Sequence, residues 1–153
     1  MSTWGSRKRD DRGAAVVETA LCICFVVLPL VFGTIAYAYM LSFRQTVTQA
    51  AAEGARAGAV APTGTTDANR TAAAMKAVSG AMATGPGALA CNDAATYLVC
   101  TAPVATCTDG SGKSCITVTV TYPYRDHSLL PSMPGLGFLL PKNITYAAVA
   151  QVN

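Results

Sequence analysis

Charged side chains are scarce in this sequence: they make up 12% of its residues, and the formal net charge is +3. A nucleic-acid-binding domain instead concentrates basic side chains along one face. Here the basic excess lies within residues 1–13, which carry four basic and two acidic side chains. We therefore predict no nucleic-acid partner.

Patterns for catalysis and metal binding are missing as well. His127 is the single histidine, and no nucleophile elbow, phosphate-binding loop or metal-ligand motif accompanies it. We therefore predict no enzyme activity, no cofactor and no small-molecule substrate. His127 is interpreted as a surface residue.

Long hydrophobic stretches are present, and the longest lies near the N-terminus. The run Ala20–Leu41 is apolar apart from Thr34 and would span roughly 33 Å as a helix, enough to cross a bilayer core. It is too long for the apolar region of a cleaved secretory signal. A retained transmembrane helix over residues 14–41 is the prediction; a cleaved signal and a buried core helix are the alternatives.

The flanking residues predict the orientation and ends of this helix. Four basic side chains precede it, so the positive-inside rule places the N-terminus in the cytoplasm and the remainder outside. Pro29 is expected to kink or locally melt the helix. An aromatic belt is expected at the outer interface, formed by Tyr37, Tyr39 and Phe43.

The helix is expected to continue outside the membrane over residues 42–61, because no helix breaker occurs before Pro62. Ala50, Gly54 and Gly58 recur every four residues and share one face, on which a second helix could approach closely. The simpler interpretation is that short side chains favour helix. We call these three residues the small-residue face.

Two residues near the start of the apolar run, Gly13 and Glu18, are candidate functional residues. Glu18 lies just inside it, where a carboxylate is costly without a partner. It either reaches water at the cytoplasmic interface or pairs with a cation from another subunit. The basic segment before it ends on Gly13, so cleavage there would leave Ala14 as the new N-terminus and Glu18 as the fifth residue.

This arrangement resembles the signal of type IV prepilins, which have a basic leader ending in glycine. More closely, RGAAVVETAL, followed by LPLVFG and FRQTVTQAAAEGAR, resembles the TadE-like family of tight-adherence (Tad or Flp) pilus systems. The resemblance covers residues 12–60. It implies a prepilin peptidase that cuts between Gly13 and Ala14, and a Glu18 that pairs with the N-terminus of a neighbouring subunit.

Residues 62–153 are predicted to form a small domain outside the membrane. Turn residues at Pro62–Thr66 precede a predicted helix from about Asp67 to Met82. Alternating apolar residues then predict strands at Tyr97–Thr101, Cys115–Tyr124 and Ile144–Val152. An antiparallel sheet packed on the outer part of the long helix gives an α+β fold.

Four of the six cysteines lie in this domain, where an extracytoplasmic compartment permits disulfides. Three pairings are possible. We favour Cys107–Cys115, because a hairpin turn fits between them, and then Cys91–Cys100. A zinc site is the alternative. The other two cysteines, Cys22 and Cys24, are interpreted as apolar residues of the membrane helix.

The connection 125–143 is unusually apolar for a loop of its length. It could cover the core of the sheet, lie on the membrane or contact a partner, and the sequence does not choose among these.

Two functions fit the whole pattern. The first is a TadE-like minor pilin, either built into a pilus or retained in the membrane as an assembly factor, with other pilin subunits and the Tad secretion machinery as partners. The second is a membrane-tethered binding module that never enters a fibre.

Overall fold

A computed structural model of the chain describes residues 11–62, 64, 66–129 and 140–152. Its elements combine helices with an antiparallel sheet, so the α+β class predicted from the sequence is confirmed. The chain divides into two compact units, Met1–Ala38 and Tyr39–Asn153. The elements are α1 (Asp11–Cys22), a π-helical turn (Ile23–Val27), α2 (Leu28–Val60), α3 (Asp67–Ala83), β1 (Val99–Thr101), β2 (Val104–Thr106), β3 (Ser114–Tyr122) and β4 (Ile144–Val152).

The first unit is helical, and no side chain from residue 13 to residue 38 is buried. Large apolar side chains are therefore exposed along it, including Phe25 at 75% and Leu30 at 65%. So much exposed apolar surface is unfavourable in water and matches the hydrocarbon of a bilayer. A helix of this length and composition is able to cross a membrane.

The helix changes type just before Pro29. Over Ile23–Val27 it is π-helical, and the amide of Leu28 donates to the carbonyl of Ile23, five residues back. Proline has no amide proton to donate to the carbonyl four residues before it, so the regular α-helical ladder is interrupted there. The disturbance expected from Pro29 thus takes the form of a wider helical turn.

The second unit contains a four-stranded antiparallel sheet with β3 in its centre. One side of β3 pairs with β4 along its whole length, from Ser114 opposite Val152 to Tyr122 opposite Ile144. The other side pairs with β1 and then with β2.

One face of β3 builds the core. Ile116, Val118 and Val120 have no exposed surface, whereas the threonines between them lie on the opposite face. The helical part of α2 that follows residue 39 and the helix α3 supply the rest of the core. Its helical members are Met40, Phe43, Val47, Ala50, Ala51, Ala55, Ala74, Val78 and Met82.

The second predicted helix exists, with nearly the predicted bounds. Thr66 caps α3, because its hydroxyl oxygen accepts the amide proton of Asn69 at 3.4 Å. Four residues at helical spacing are buried on one side: Arg70, Ala74, Val78 and Met82.

Two expectations about this unit need correction, and one strand was not expected. Phe43 does not belong to an aromatic belt: it is fully buried, with ring centroids 5.1 Å from Tyr122 and 5.7 Å from Tyr124. The first strand begins at Val99, because Tyr97 has a positive φ of 56° and breaks the extended backbone. The short strand β2 (Val104–Thr106) was not predicted.

The connection 125–143 is described in part. Residues 130–139, which hold most of its apolar side chains, lie outside the described residues. The Arg125 guanidinium donates to the carbonyl of Leu140, so the two described ends of the connection are tied together.

Candidate assembly site on the N-terminal helix

Gly13 lies in α1 at a position where no neighbour within the described chain requires glycine. A Cβ atom built there would meet no atom within 4 Å. Its backbone is helical, so its φ is not in the left-handed region that favours glycine. Within the part of the chain that the structure describes, close packing and a left-handed backbone therefore do not account for a glycine at this position.

Glu18 is exposed on the same helix, between Val17 and Thr19. Val17 is 60% exposed and Leu21 is 53% exposed, so the carboxylate stands on an apolar surface. The Thr19 hydroxyl is satisfied locally, because it donates to the carbonyl of Ala15 at 2.8 Å. Glu18 forms no ion pair within the described residues.

The small-residue face is used inside the chain. Ala50, Gly54 and Gly58 are all buried. A Cβ atom on Gly54 would collide with the side chain of Val78 and lie 3.2 Å from Val118. A Cβ atom on Gly58 would likewise collide with Ile116. The second helix that this face admits is α3 of the same chain, together with β3.

Two disulfides close short loops in the second unit. Cys91 and Cys100 are bonded with a Cα–Cα distance of 5.5 Å, and Cys107 and Cys115 with 5.0 Å. Both distances are usual for disulfides. The other two cysteines are unpaired and exposed on the first unit: Cys22 and Cys24.

The loop closed by Cys91–Cys100 is fixed by side-chain hydrogen bonds. The Asn92 amide donates to the Cys100 carbonyl and its oxygen accepts from the Cys100 amide, both at 3.0 Å. These two hydrogen bonds help to hold the loop in which Tyr97 has a left-handed backbone conformation. The Tyr97 ring stacks on the His127 ring at a centroid distance of 3.5 Å. The stack was not predicted, since neither the positive φ nor a contact thirty residues away has a sequence signal.

The loop between Cys107 and Cys115 is a tight turn. The Asp109 carboxylate accepts a hydrogen bond from the Ser111 amide at 2.9 Å. Hydrogen bonds from the Ser111 side chain and backbone lower the pKa of Asp109 from its usual value. Asp109 and Ser111 are both exposed and only two residues apart, so this hydrogen bond stabilises the turn itself.

No group of three or more metal-ligating side chains occurs among the described residues. What the described chain does offer is an exposed apolar helix with one carboxylate, followed by a buried small-residue face.

A comparison with protein-family models finds a similarity that covers most of this helix. The model described as TadE-like protein matches residues 13–56. Residues 13–56 are thus similar to this family, and we call them the TadE-like segment. The match begins at Gly13, contains Glu18 and ends at Arg56, before the sheet. Comparisons with curated proteins and with solved structures find no match.

The TadE-like segment includes both the exposed part of the helix and the part that is buried in the second unit. Its first half is exposed and apolar, and its second half buries Val47, Ala50 and Gly54 against the sheet and α3. The similarity suggests a component associated with a Tad pilus, and it fits a single-pass membrane protein.

Proposed function

We propose that this chain is a minor pilin, or pseudopilin, of a Tad (Flp) pilus. The observation that carries the proposal is the start of the TadE-like match at Gly13, directly before an exposed apolar helix with Glu18 near its beginning. In this role the chain is structural and its partners are the lipid bilayer, other pilin subunits, the Tad secretion machinery and a prepilin peptidase.

The proposed topology places the basic N-terminus in the cytoplasm and the second unit outside. The four basic residues before the helix support this orientation through the positive-inside rule. The two disulfides in the second unit support it independently, because disulfides persist in oxidising compartments.

The proposed processing step is hydrolysis of the peptide bond between Gly13 and Ala14. The missing side chain of Gly13 suits a narrow protease subsite. Cleavage frees an ammonium group on Ala14, which can pair with Glu18 of a neighbouring copy in the lipid. A charge pair of this kind needs a supplied partner, and Glu18 forms no ion pair within the described residues.

The second unit favours a minor rather than a bulk subunit. TadE-like pilus systems build their main fibre from very short pilins, whereas this chain adds a sheet, a further helix and two disulfides after the shared segment.

Intact-mass spectrometry of the chain, expressed with its prepilin peptidase, tests the proposal. We expect the mass of residues 14–153 for the wild type and the full-length mass for Gly13→Leu. Gly33→Leu is the matched control, because Gly33 also has open space around it and lies within the same apolar helix. This control should be cut normally.

A wild-type chain that keeps residues 1–13 in the presence of an active peptidase would contradict the proposal. That result would favour the alternative, a membrane-tethered binding module that does not enter a fibre.

A further inference from the structure

The exposed apolar part of the long helix ends where the second unit begins. Leu41 is 38% exposed, whereas Met40 is 5% exposed and Phe43 has no exposed surface. Both buried side chains belong to the core of the second unit, so protein and not lipid covers Phe43. A membrane that the first unit spans therefore has its surface close to Leu41, whichever side of it the second unit occupies.

The strand β3 runs back toward this point. At the start of the part of α2 that lies in the second unit, Phe43 contacts Tyr122, the last residue of β3. Near the end of α2, Gly58 lies against Ile116, close to the start of β3. The end of β3 and the start of β4, which pairs with it, therefore lie where α2 enters the second unit. We call this end of the unit the membrane-proximal end.

Basic side chains are gathered at the membrane-proximal end. Arg125 follows β3 and Lys142 precedes β4, and the Arg125 amide donates to the Lys142 carbonyl at 3.2 Å, so the two residues are adjacent. Arg44 lies three residues after Leu41, an axial rise of about 4.5 Å. Arg44 and Lys142 are both exposed. The same segments of sequence hold one acidic side chain, Asp126.

An exposed tyrosine lies at the same end. Tyr97 is 48% exposed, and its ring stacks on His127 in the segment that follows β3. Tyrosine is enriched where a membrane meets water, because its ring is apolar and its hydroxyl is polar. Asp93 on the loop of Tyr97 is engaged locally, since its carboxylate accepts the amide proton of Ala95 at 2.9 Å.

We propose that the membrane-proximal end rests on the bilayer that the first unit spans, with Arg44 and Lys142 bound to the phosphate groups of anionic phospholipids. The headgroup layer is about 5–7 Å thick on each side of the hydrocarbon, so a rise of about 4.5 Å places Arg44 within it. Arg125, whose guanidinium donates to the Leu140 carbonyl, adds to the positive charge. The inference rests on a membrane-spanning first unit and requires neither cleavage after Gly13 nor entry into a pilus.

Fluorescence quenching in vesicles tests this docking with the full chain. Cys22→Ala and Cys24→Ala remove the unpaired cysteines, and Asn143→Cys places a label beside Lys142. The chain is reconstituted in phosphatidylcholine vesicles that contain a headgroup-linked quencher, with or without phosphatidylglycerol. A thiol dye that does not cross the membrane labels only chains with the second unit outside. We expect quenching to be about twofold or more stronger with phosphatidylglycerol.

Two charge variants separate docking from simple nearness to the membrane. Each basic residue beside an anionic membrane strengthens binding about fivefold, so Arg44→Glu/Lys142→Glu should remove the effect of phosphatidylglycerol. Arg56→Glu/Lys113→Glu is the matched control and should keep the effect. It makes the same change of charge at exposed residues near the end of α2 and before β3, at the opposite end of the unit.

A salt test needs no charge variant. In about 1 M salt the screening length falls to about 3 Å, so the effect of phosphatidylglycerol on the unreversed chain should vanish. A label at Val60→Cys, which is 75% exposed at the end of α2, should show no effect at any salt concentration.

The outcomes separate this inference from the proposed function. Equal quenching with and without phosphatidylglycerol, or undiminished quenching in Arg44→Glu/Lys142→Glu, overturns the docking. A chain that alkaline carbonate extracts from the vesicles overturns the membrane-spanning helix and the docking with it. A chain that docks as expected but keeps residues 1–13 in the presence of an active peptidase supports the docking and contradicts only the proposed function.

Discussion

At the scale of single residues, Gly54 shows most directly why this helix needs glycine. Its missing Cβ leaves room for the side chains of Val78 and Val118, which approach α2 from α3 and β3. Gly80, on the exposed side of α3, has no atom within 4 Å of its Cβ position. The two glycines therefore allow the same substitution to be compared in closed and open surroundings.

We expect Gly54→Ala and Gly80→Ala to change stability in opposite directions. Overpacking lowers the free energy of unfolding by about 1–3 kcal/mol, whereas the higher helix propensity of alanine raises it by about 1 kcal/mol. Gly54→Ala should therefore lower the free energy of unfolding by up to about 2 kcal/mol. Gly80→Ala should gain up to about 1 kcal/mol. Chemical denaturation of the full chain in detergent micelles measures both. Equal shifts would show that α3 does not pack closely on Gly54.

Glu18 makes a residue-scale prediction about assembly rather than folding. If the chain is processed and assembled as proposed, Glu18→Ala should insert in the membrane and be cut after Gly13, yet be lost from the sheared surface fraction. The physical reason is that removing one partner of a buried pair typically costs about 3–5 kcal/mol.

Thr19→Ala is the control for Glu18→Ala, because the Thr19 hydroxyl already bonds to the Ala15 carbonyl of its own helix. It should assemble normally. Wild-type amounts of the Glu18→Ala variant in the surface fraction would contradict the proposed subunit contact.

At the scale of elements, the parts predicted from the sequence are those with a strong local period. β3 alternates apolar residues and threonine over its whole length, and α3 begins with a capping residue. Long-range contacts have no such period. β2 is three residues long and exists because it pairs with residues 114–116 of β3. Phe43 was assigned to the membrane interface because nothing local shows that Tyr122 and Tyr124 lie beside it.

The same limit applies to the candidate sites. The small-residue face was visible in the sequence as a spacing, but its neighbours Val78 and Ile116 belong to distant segments. The stack of Tyr97 on His127 had no signal at all, because it depends on a left-handed backbone that glycine or asparagine usually adopts.

The disulfide loops support an element-scale prediction. Each closes a short loop, with sequence separations of 9 and 8 residues. A disulfide that closes a loop of this length stabilises the folded state by about 2.5 kcal/mol, because it lowers the entropy of the unfolded chain. Cys107→Ser/Cys115→Ser should therefore lower the free energy of unfolding by about that amount.

Chemical denaturation of the second unit's sheet, followed by circular dichroism, measures this loss. Cys22→Ser/Cys24→Ser is the matched control, since those cysteines are unpaired and lie in the first unit. The control should leave the transition unchanged. If the Cys107/Cys115 variant unfolds at the wild-type midpoint, the bond does not contribute to stability.

At the scale of the whole molecule, the core of the second unit holds few charged side chains among the described residues. We therefore expect the stability of this unit to depend on pH mainly where its core phenols ionise. Burial raises the pKa of Tyr122 above its usual value, and nearby Tyr97 adds to the effect. Burial also raises the pKa of Tyr124, with smaller contributions from Tyr39 and Tyr122. The folded state therefore favours the neutral phenols more than the unfolded chain does.

The direction of the pH dependence follows from this difference. Below the unfolded pKa of about 10 both states are neutral, and the phenol contribution to stability is fully present. As the pH rises from the unfolded pKa to the higher folded pKa values, the phenols lose their protons more readily in the unfolded state. The unfolded state is thereby favoured, and the free energy of unfolding falls. We therefore expect that these two phenols do not change the unfolding midpoint of the wild type near neutral pH, and that they lower it above about pH 10.

The variant Tyr122→Phe/Tyr124→Phe isolates the two core phenols. It loses the hydrogen bond from the Tyr122 hydroxyl to the His127 carbonyl, 2.7 Å long, so its stability at pH 7 should drop by about 1 kcal/mol. Its alkaline decline should be shallower than that of the wild type. Tyr146→Phe, a change at an exposed phenol on β4, should keep the wild-type decline. Parallel curves for the wild type and the double variant between pH 9 and pH 11, a window set by the tyrosine pKa of about 10, would show that the core phenols do not govern the alkaline loss.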